Sequence, residues 1–130
     1  MTTTRAFLDT WAWWEIVHET PVGRRLDARF VRGAEPHTSA WALGELAAKL
    51  ALHAPPERVM SGMARVRQVA TVHDVTANLA VAGAALRKDL RQKAPRASLG
   101  DGVMLATARH LGMRLVSGDA AFVGEPDVVR

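Results

Sequence analysis

The segment "SLGDGVMLATARHLGMRLVSGD", residues 98–119, reads as a helix followed by a strand, with an aspartate near each end. Asp101 stands where the helix begins, and Asp119 stands where the strand ends. A helix over 101–111 rises about 16 Å at ~1.5 Å per residue. A strand over 113–118 returns about 20 Å at ~3.3 Å per residue. The two carboxylates are therefore predicted to lie at the same edge of a sheet.

The rest of the chain repeats this alternation of strands and helices. Apolar runs and turn residues predict strands over 4–9, 37–40, 71–75, 113–117 and 127–129. Helical spacing and capping residues predict helices over 10–19, 21–32, 41–53, 54–70, 76–93 and 99–111. Such alternation is typical of a parallel sheet covered on both faces. We predict an α/β fold, a three-layer α/β/α sandwich with four to five mostly parallel strands, in a single domain over 1–130.

Composition excludes several classes of protein. Hydrophobic residues make up 48% of the chain, which excludes a disordered protein. The absence of cysteine excludes disulfides, thiolate zinc sites and a cysteine nucleophile. No signal peptide and no membrane-length apolar run is visible, so a cytoplasmic protein is expected. Arginine supplies 14 of the 17 basic residues, against 13 acidic ones, and this balance is compatible with a polyanionic partner.

Two further acids are predicted to join Asp101 and Asp119. Asp9 ends the first strand, and Glu45 lies in the second turn of the helix that follows the second strand. Open α/β sheets bind ligands outside the carboxyl ends of their strands. These four residues, which we call the acidic edge, are thus expected to meet where a ligand would bind.

Four neighbouring carboxylates repel one another, and a divalent cation is the usual counter-charge. An all-oxygen ligand set without histidine or cysteine favours Mg²⁺ or Mn²⁺ over zinc. Such an ion orients water and stabilises charge in phosphodiester hydrolysis.

Each acid also has a purely structural interpretation. Ser98 and Asp101 match a capping box, Asp9 matches a helix cap, and Asp119 suits a turn. Glu45 could be a solvated residue, although its helix is mostly apolar, where an idle carboxylate costs solvation energy. The convergence of all four at one edge favours the functional interpretation.

Three segments, "FLDT" (7–10), "SAWALGEL" (39–46) and "SLGDGVMLATARHLGMRLVSGDAAF" (98–122), together resemble the PIN domain, and in particular VapC-type toxins. The resemblance covers essentially the whole chain, and its C-terminal segment is the most specific. It implies a parallel sheet between helices and a metal-dependent ribonuclease, commonly a homodimer restrained by a small antitoxin. The four residues of the acidic edge match the family's acidic positions, and Thr10, Ser39 and Ser117 match its flanking hydroxyl positions.

The resemblance also implies roles for these residues. Asp101 and Asp119 would be direct metal ligands, Asp9 would bind the metal or orient its water, and Glu45 would bind or act as base. RNA contacts would come from basic residues near the edge, although a solvated face is the simpler interpretation for at least half of the candidates: Arg24, Arg25, Arg29, Arg87, Lys88 and Arg91.

Two positions depart from the family pattern. Trp11 stands where many relatives have a small or polar residue, so it either crowds the site or offers a stacking face. Ala121 stands where some relatives carry an additional acid, so the resemblance implies at least one metal ion rather than a tightly held pair.

Other acidic α/β proteins fit less well. A response-regulator receiver needs a double acid after the first strand, and a dehalogenase-like phosphatase needs Asp-x-Asp, where this chain has Trp11. No phosphate-binding loop or dinucleotide motif is present. Two functional alternatives stay open: a housekeeping RNA-processing nuclease without an antitoxin, and a non-catalytic binding module that keeps the acidic edge as a scaffold.

Overall fold

A computed structural model describes residues 3–130, so the first two residues of the predicted 1–130 domain lie outside the described residues. Five strands form one sheet in the order β3-β2-β1-β4-β5, and every neighbouring pair is parallel. The strands are β1 (Arg5–Leu8), β2 (Glu35–Ser39), β3 (Thr71–His73), β4 (Leu115–Val116) and β5 (Val128–Val129). The predicted parallel α/β fold is confirmed.

Six α-helices connect and cover these strands. They are α1 (Thr10–Val17), α2 (Pro21–Leu26), α3 (Ala40–Ala51), α4 (Pro56–Val69), α5 (Ala77–Leu90) and α6 (Leu99–His110). A side-chain oxygen caps the N-terminus of five of them, from Asp9, Thr20, Ser39, Thr76 and Ser98. No helix within residues 3–130 combines the length and the apolar composition needed to cross a bilayer.

The apolar core has one part on each face of the sheet. Leu8 of β1 packs with Trp13 of α1 and with buried residues of α2, α3 and α4. Its neighbour Phe7 faces the other way, toward Leu105 of α6 and the end of α5. This alternation along β1 produces the three layers, because successive side chains of a strand point to opposite faces.

Element boundaries differ from the predicted ones for identifiable reasons. The predicted helix over 21–32 is α2 followed by a π-helical segment, Asp27–Val31. Helix α5 ends at Leu90 instead of 93, since the Gln92 and Lys93 amides donate to carbonyls only three residues back, at 3.2 and 3.1 Å. Strand β2 begins two residues earlier than predicted, because the Glu35 amide pairs with the Thr4 carbonyl beside β1 at 2.8 Å.

Helices α5 and α6 are in close contact through glycine. A Cβ atom on Gly83 would lie 2.7 Å from both the backbone nitrogen and the Cα of Val103. We expect Gly83→Ala to lower the free energy of unfolding by ~1–3 kcal/mol, the usual cost of overpacking. Gly44→Ala is the control, since nothing lies within 4 Å of a Cβ there. It should instead stabilise α3 by ~0.5–1 kcal/mol. Urea denaturation measures both, and equal effects would contradict the close contact.

An imidazole pair joins β2 to the edge strand β3. His37 Nδ1 lies 2.9 Å from His73 Nε2, and the ring centroids are 5.1 Å apart. Partial burial and the nearby His73 and Arg5 lower the pKa of His37 below its ordinary 6.5, against a smaller opposing effect of Glu35. The fold therefore favours the neutral form of His37, and this contribution to stability is present above pH 6.5 and lost as the pH falls below it.

Protonation of the buried Asp9, whose pKa is about 7, stabilises the fold over the same pH range, so the effect of His37 is measured as a difference between proteins. From pH 7 to pH 5, we expect the wild type to lose free energy of unfolding relative to His37→Gln. His53→Gln, on the exposed end of α3, should retain the wild-type pH dependence. Urea titrations at a series of pH values measure the slope. Identical slopes for all three proteins would show that the imidazole pair contributes nothing to it.

Candidate active site at the carboxyl edge of the sheet

The structure places all four acids of the acidic edge at the carboxyl ends of the strands. Asp9 follows β1, Asp119 follows the neighbouring β4, Asp101 lies in the first turn of α6, and Glu45 lies in the second turn of α3. Asp101 and Asp119 are near enough for their negative charges to act on Asp9. Thr10 links Glu45 to the same edge, because its Oγ1 donates to Glu45 Oε1 at 2.9 Å.

Asp9 is the most deeply buried of the four, with 2% of its surface exposed. Burial raises its pKa from 3.8 to about 7, and the charges of Asp119 and Asp101 act in the same direction. The Ser117 hydroxyl and the Ala12 amide, which donates to Asp9 Oδ1 at 2.9 Å, oppose this shift. The chain thus buries a carboxylate at a position where nearby aspartates make its charge more costly.

Asp101 completes a full capping box. Its Oδ2 accepts a hydrogen bond from the Ser98 amide at 2.8 Å, and its own amide donates to Ser98 Oγ at 3.1 Å. Burial and the charge of Asp119 raise its pKa, while hydrogen bonding with Ser98 and the charge of Lys49 lower it. Asp101 therefore has the capping role that its sequence position predicted. That role uses one carboxylate oxygen and leaves the other available for a ligand.

Asp119 follows the same pattern. Its Oδ1 accepts from the Ala121 amide at 2.9 Å and caps a short 3-10 turn, Ala120–Phe122. Its amide donates to Ser117 Oγ at 3.0 Å. Asp9, Asp101 and Asp119 each hold a helical N-terminus with one carboxylate oxygen, which orients the side chain. Capping and ligand binding are thus compatible in all three residues.

The three predicted supporting hydroxyls have different roles. Thr10 is 4% exposed and is the direct partner of Glu45. Ser39 caps α3 by accepting from the Trp41 amide at 3.0 Å, and Ser117 shapes the turn at Asp119. Ser39 is therefore a helix cap, whereas Ser117 shapes the turn and also acts on Asp9, whose pKa its hydroxyl lowers.

Two further residues adjoin the acidic edge: Lys49, which was not identified from the sequence, and Trp11, which the sequence placed beside the site. Lys49 is near enough to Asp101 to favour its charged form, and its spacing of four residues from Glu45 on α3 was the available signal. Trp11 packs on the turn before Asp119, where its indole occupies the space that a Cβ atom of Gly118 would need. The indole therefore forms a wall beside Asp119, in agreement with the prediction that it lies next to the site.

The six predicted RNA-binding residues separate into two groups. Arg87, Lys88 and Arg91 surround one depression of about 250 Å³ on α5. Arg91 also holds the following loop, because its Nε donates to the Ala97 carbonyl at 2.9 Å. The other three lie on α2 and its π-helical extension, and no hydrogen bond or ion pair among residues 3–130 joins them to the acidic edge: Arg24, Arg25 and Arg29.

The donor chemistry at the edge fits a hard divalent cation. Only carboxylate and hydroxyl oxygens are present, and burial makes the charge on Asp9 costly without a counter-charge. In the described conformation, no three acidic or imidazole side chains of residues 3–130 are arranged to hold an ion between them. A cation would thus have to draw the carboxylates of Asp9, Asp101 and Asp119 together by side-chain rotation, and at Asp9 it would compete with the Ser117 hydroxyl.

A family model for the PIN domain matches residues 6–124, which include the whole acidic edge. The chain belongs to the PIN domain family. No curated protein matches the sequence closely enough to count as a relative.

Solved structures share the fold of this PIN domain. A toxin–antitoxin complex from Klebsiella pneumoniae has a TM-score of 0.73 at 19% identity, with 96% of each chain covered. VapBC2 from Rickettsia felis, bound to a promoter DNA fragment, has a TM-score of 0.73 at 18% identity, covering 97% of this chain and 96% of that one. VapC20 from Mycobacterium tuberculosis, described as a sarcin-ricin loop cleaving toxin, has a TM-score of 0.68 at 24% identity, covering 92% and 95%.

Proposed function

We propose that this PIN domain is a metal-dependent endoribonuclease and the toxin of a VapBC-type pair. The observation that carries the proposal is the buried Asp9 carboxylate, whose pKa burial raises to about 7 beside Asp101 and Asp119. Buried acids at a sheet edge where α/β proteins bind ligands are typical of a functional site. The similarity to solved toxins supports the class of activity.

Asp9, Asp101 and Asp119 would hold one Mg²⁺ or Mn²⁺, with Glu45 beside it. When bound, the ion supplies Lewis-acid stabilisation of the charge that develops on the phosphate. Each aspartate has one carboxylate oxygen in a helix cap, and the ion would offset the cost of turning the carboxylates toward it by neutralising their charge. Glu45 accepts the attacking water's proton or orients that water, and Thr10 holds the carboxylate for this task.

The Thr10–Glu45 hydrogen bond gives a test of that arrangement. Thr10→Val keeps the side-chain shape, removes the donor at 2.9 Å from Glu45 and should reduce the cleavage rate ~10–100-fold, as for other orienting residues. Thr10→Ser retains the hydroxyl and should stay within a few-fold of wild type. Single-turnover rates measure both, and a fully active Thr10→Val protein would show that Glu45 needs no orientation.

The expected partners are an RNA substrate, a small antitoxin and a second copy of the chain, all in the cytoplasm. The similar VapBC structures are toxin–antitoxin complexes, which supports an antitoxin partner.

We propose that the C-terminal segment of the antitoxin covers the acidic edge and places an arginine on Asp101 and Asp119. A cavity of about 430 Å³ between α1, α3 and α4, lined by Trp14, Leu50 and Arg58, suits the rest of such a segment. A complex with the acidic edge open would contradict this placement.

The housekeeping nuclease and the binding module make different predictions. A housekeeping nuclease would cleave RNA equally well but would lack a co-transcribed antitoxin. A binding module would keep the acidic edge and cleave nothing.

Cleavage of a structured RNA pool by the purified protein tests the proposal. We expect cleavage in Mn²⁺ or Mg²⁺ and none in EDTA. Restoration of cleavage by metal after EDTA treatment separates metal dependence from inactivation. No cleavage at high enzyme concentration over several RNAs would favour the binding module.

A further inference from the structure

A cavity lies next to Asp119, between the loop that follows α5 and the 3-10 turn. It has a volume of about 590 Å³, within the ~300–1,000 Å³ range of small-molecule sites. One wall is the loop between α5 and α6, with Ala94 and Pro95. The other wall is the 3-10 turn that Asp119 caps, with Ala121 and Val123. The cavity therefore opens beside a carboxylate of the acidic edge.

Both walls are held by hydrogen bonds. The loop is closed by the Ala97 amide, which donates to the Ala94 carbonyl at 2.9 Å, and by Arg91, whose Nε donates to the Ala97 carbonyl at 2.9 Å. In the turn, the Phe122 amide donates to the Asp119 carbonyl at 3.2 Å. A ligand would meet a formed surface and would not have to order these segments first.

The chemistry of the lining suits a nucleotide. The walls are apolar, and the exposed side chains of Lys93 and Arg96 add two positive charges at the same cavity. Neither cation forms an ion pair with an acid in the part of the chain that the structure describes. Apolar walls contact a base, cations attract its phosphates, and an arginine can stack on the base plane. A free phosphate would leave the apolar walls unused, and an apolar peptide would leave the cations unused.

We propose that this cavity receives one nucleotide of the RNA next to the bond that is cut, and thereby sets sequence preference at that position. The inference rests on the proposed ribonuclease function. Because none of the described residues that line the cavity is aromatic, selection there depends on the size and shape of the base more than on stacking.

Filling the cavity tests the inference. Ala120 lines it with an exposed side chain, so Ala120→Leu occupies the space without disturbing the core. Cleavage sites in an RNA pool with a randomised single-stranded loop are sequenced for each protein. We expect the wild type to prefer one base at a fixed position beside the cut. Ala120→Leu should reduce that preference about tenfold, the scale on which apolar pockets discriminate.

Ala82→Leu, an exposed alanine of α5 outside the cavity, is the matched control and should keep the preference. Arg96→Ala should raise KM with little change in kcat, since it removes attraction for phosphate and no group at the reacting atoms. Circular dichroism checks that each variant is folded. If wild type cleaves but shows an unchanged profile in Ala120→Leu, the cavity inference is overturned while the ribonuclease proposal stands.

A binding measurement keeps the inference testable without cleavage. Fluorescence anisotropy with a short labelled single-stranded RNA, in EDTA, is expected to show weaker binding for Ala120→Leu and Arg96→Ala than for Ala82→Leu. Equal binding by all four proteins would overturn the inference by itself. Absence of metal-dependent cleavage in the wild type would instead overturn the proposed function.

Discussion

Asp101→Asn is expected to reduce RNA cleavage by at least ~100-fold, more than the ~10–100-fold loss typical when only a partner of a metal ligand is removed. Asparagine has the shape of aspartate and still offers an oxygen to the Ser98 amide, so the helix cap is retained. What disappears is the negative charge of a half-buried group beside Asp119. The measurement is the single-turnover cleavage rate in Mn²⁺, with both proteins purified identically.

Ser98→Ala is the control that separates capping from catalysis. It removes the hydroxyl that accepts from the Asp101 amide at 3.1 Å and leaves the carboxylate in place. It should destabilise the fold by ~1 kcal/mol and keep cleavage within a few-fold of wild type. If Ser98→Ala were as inactive as Asp101→Asn, Asp101 would matter as a cap and would not be a site residue.

The second large effect concerns the stability of the metal-free protein. Above pH 7, the folded chain must hold a charged Asp9 that is 2% exposed. Asp9→Asn removes that charge and still accepts from the Ala12 amide, so we expect a metal-free variant ~1–3 kcal/mol more stable than wild type at pH 8. The same variant should lose most of the stabilisation by Mn²⁺, which is ~2.7 kcal/mol for wild type at 100 times Kd.

Urea denaturation with and without Mn²⁺ measures both effects. Asp89→Asn, an exposed acid of α5, is the control and should change stability by less than ~0.5 kcal/mol with the full response to metal. A metal-free Asp9→Asn protein that is less stable than wild type would show that the carboxylate serves the fold alone.

Most of the fold could be predicted from sequence patterns, because the chain follows simple rules of parallel α/β topology. Strand–helix alternation predicted the layers, and the position of each acid after a strand or in an early helical turn predicted a common edge. The capping-box motif was correct in detail at Ser98 and Asp101.

Contacts between residues far apart in the sequence could not be predicted from those patterns. The bond from Thr10 to Glu45 joins residues 35 positions apart, and the effect of Lys49 on Asp101 depends on how α3 meets α6. The cavity at Asp119 forms only because the loop after α5 folds back beside the 3-10 turn. Local propensity cannot anticipate such juxtapositions, since helix packing and loop closure determine them.

The most direct test of the account is to locate Mn²⁺ by anomalous diffraction from crystals of the protein grown with the ion. We expect a peak bound by carboxylate oxygens of Asp9, Asp101 and Asp119, with Glu45 nearby, and no such peak in crystals of Asp101→Asn. Full Mn²⁺ occupancy at another position, such as the imidazoles of His37 and His73, with nothing at the acidic edge would contradict it.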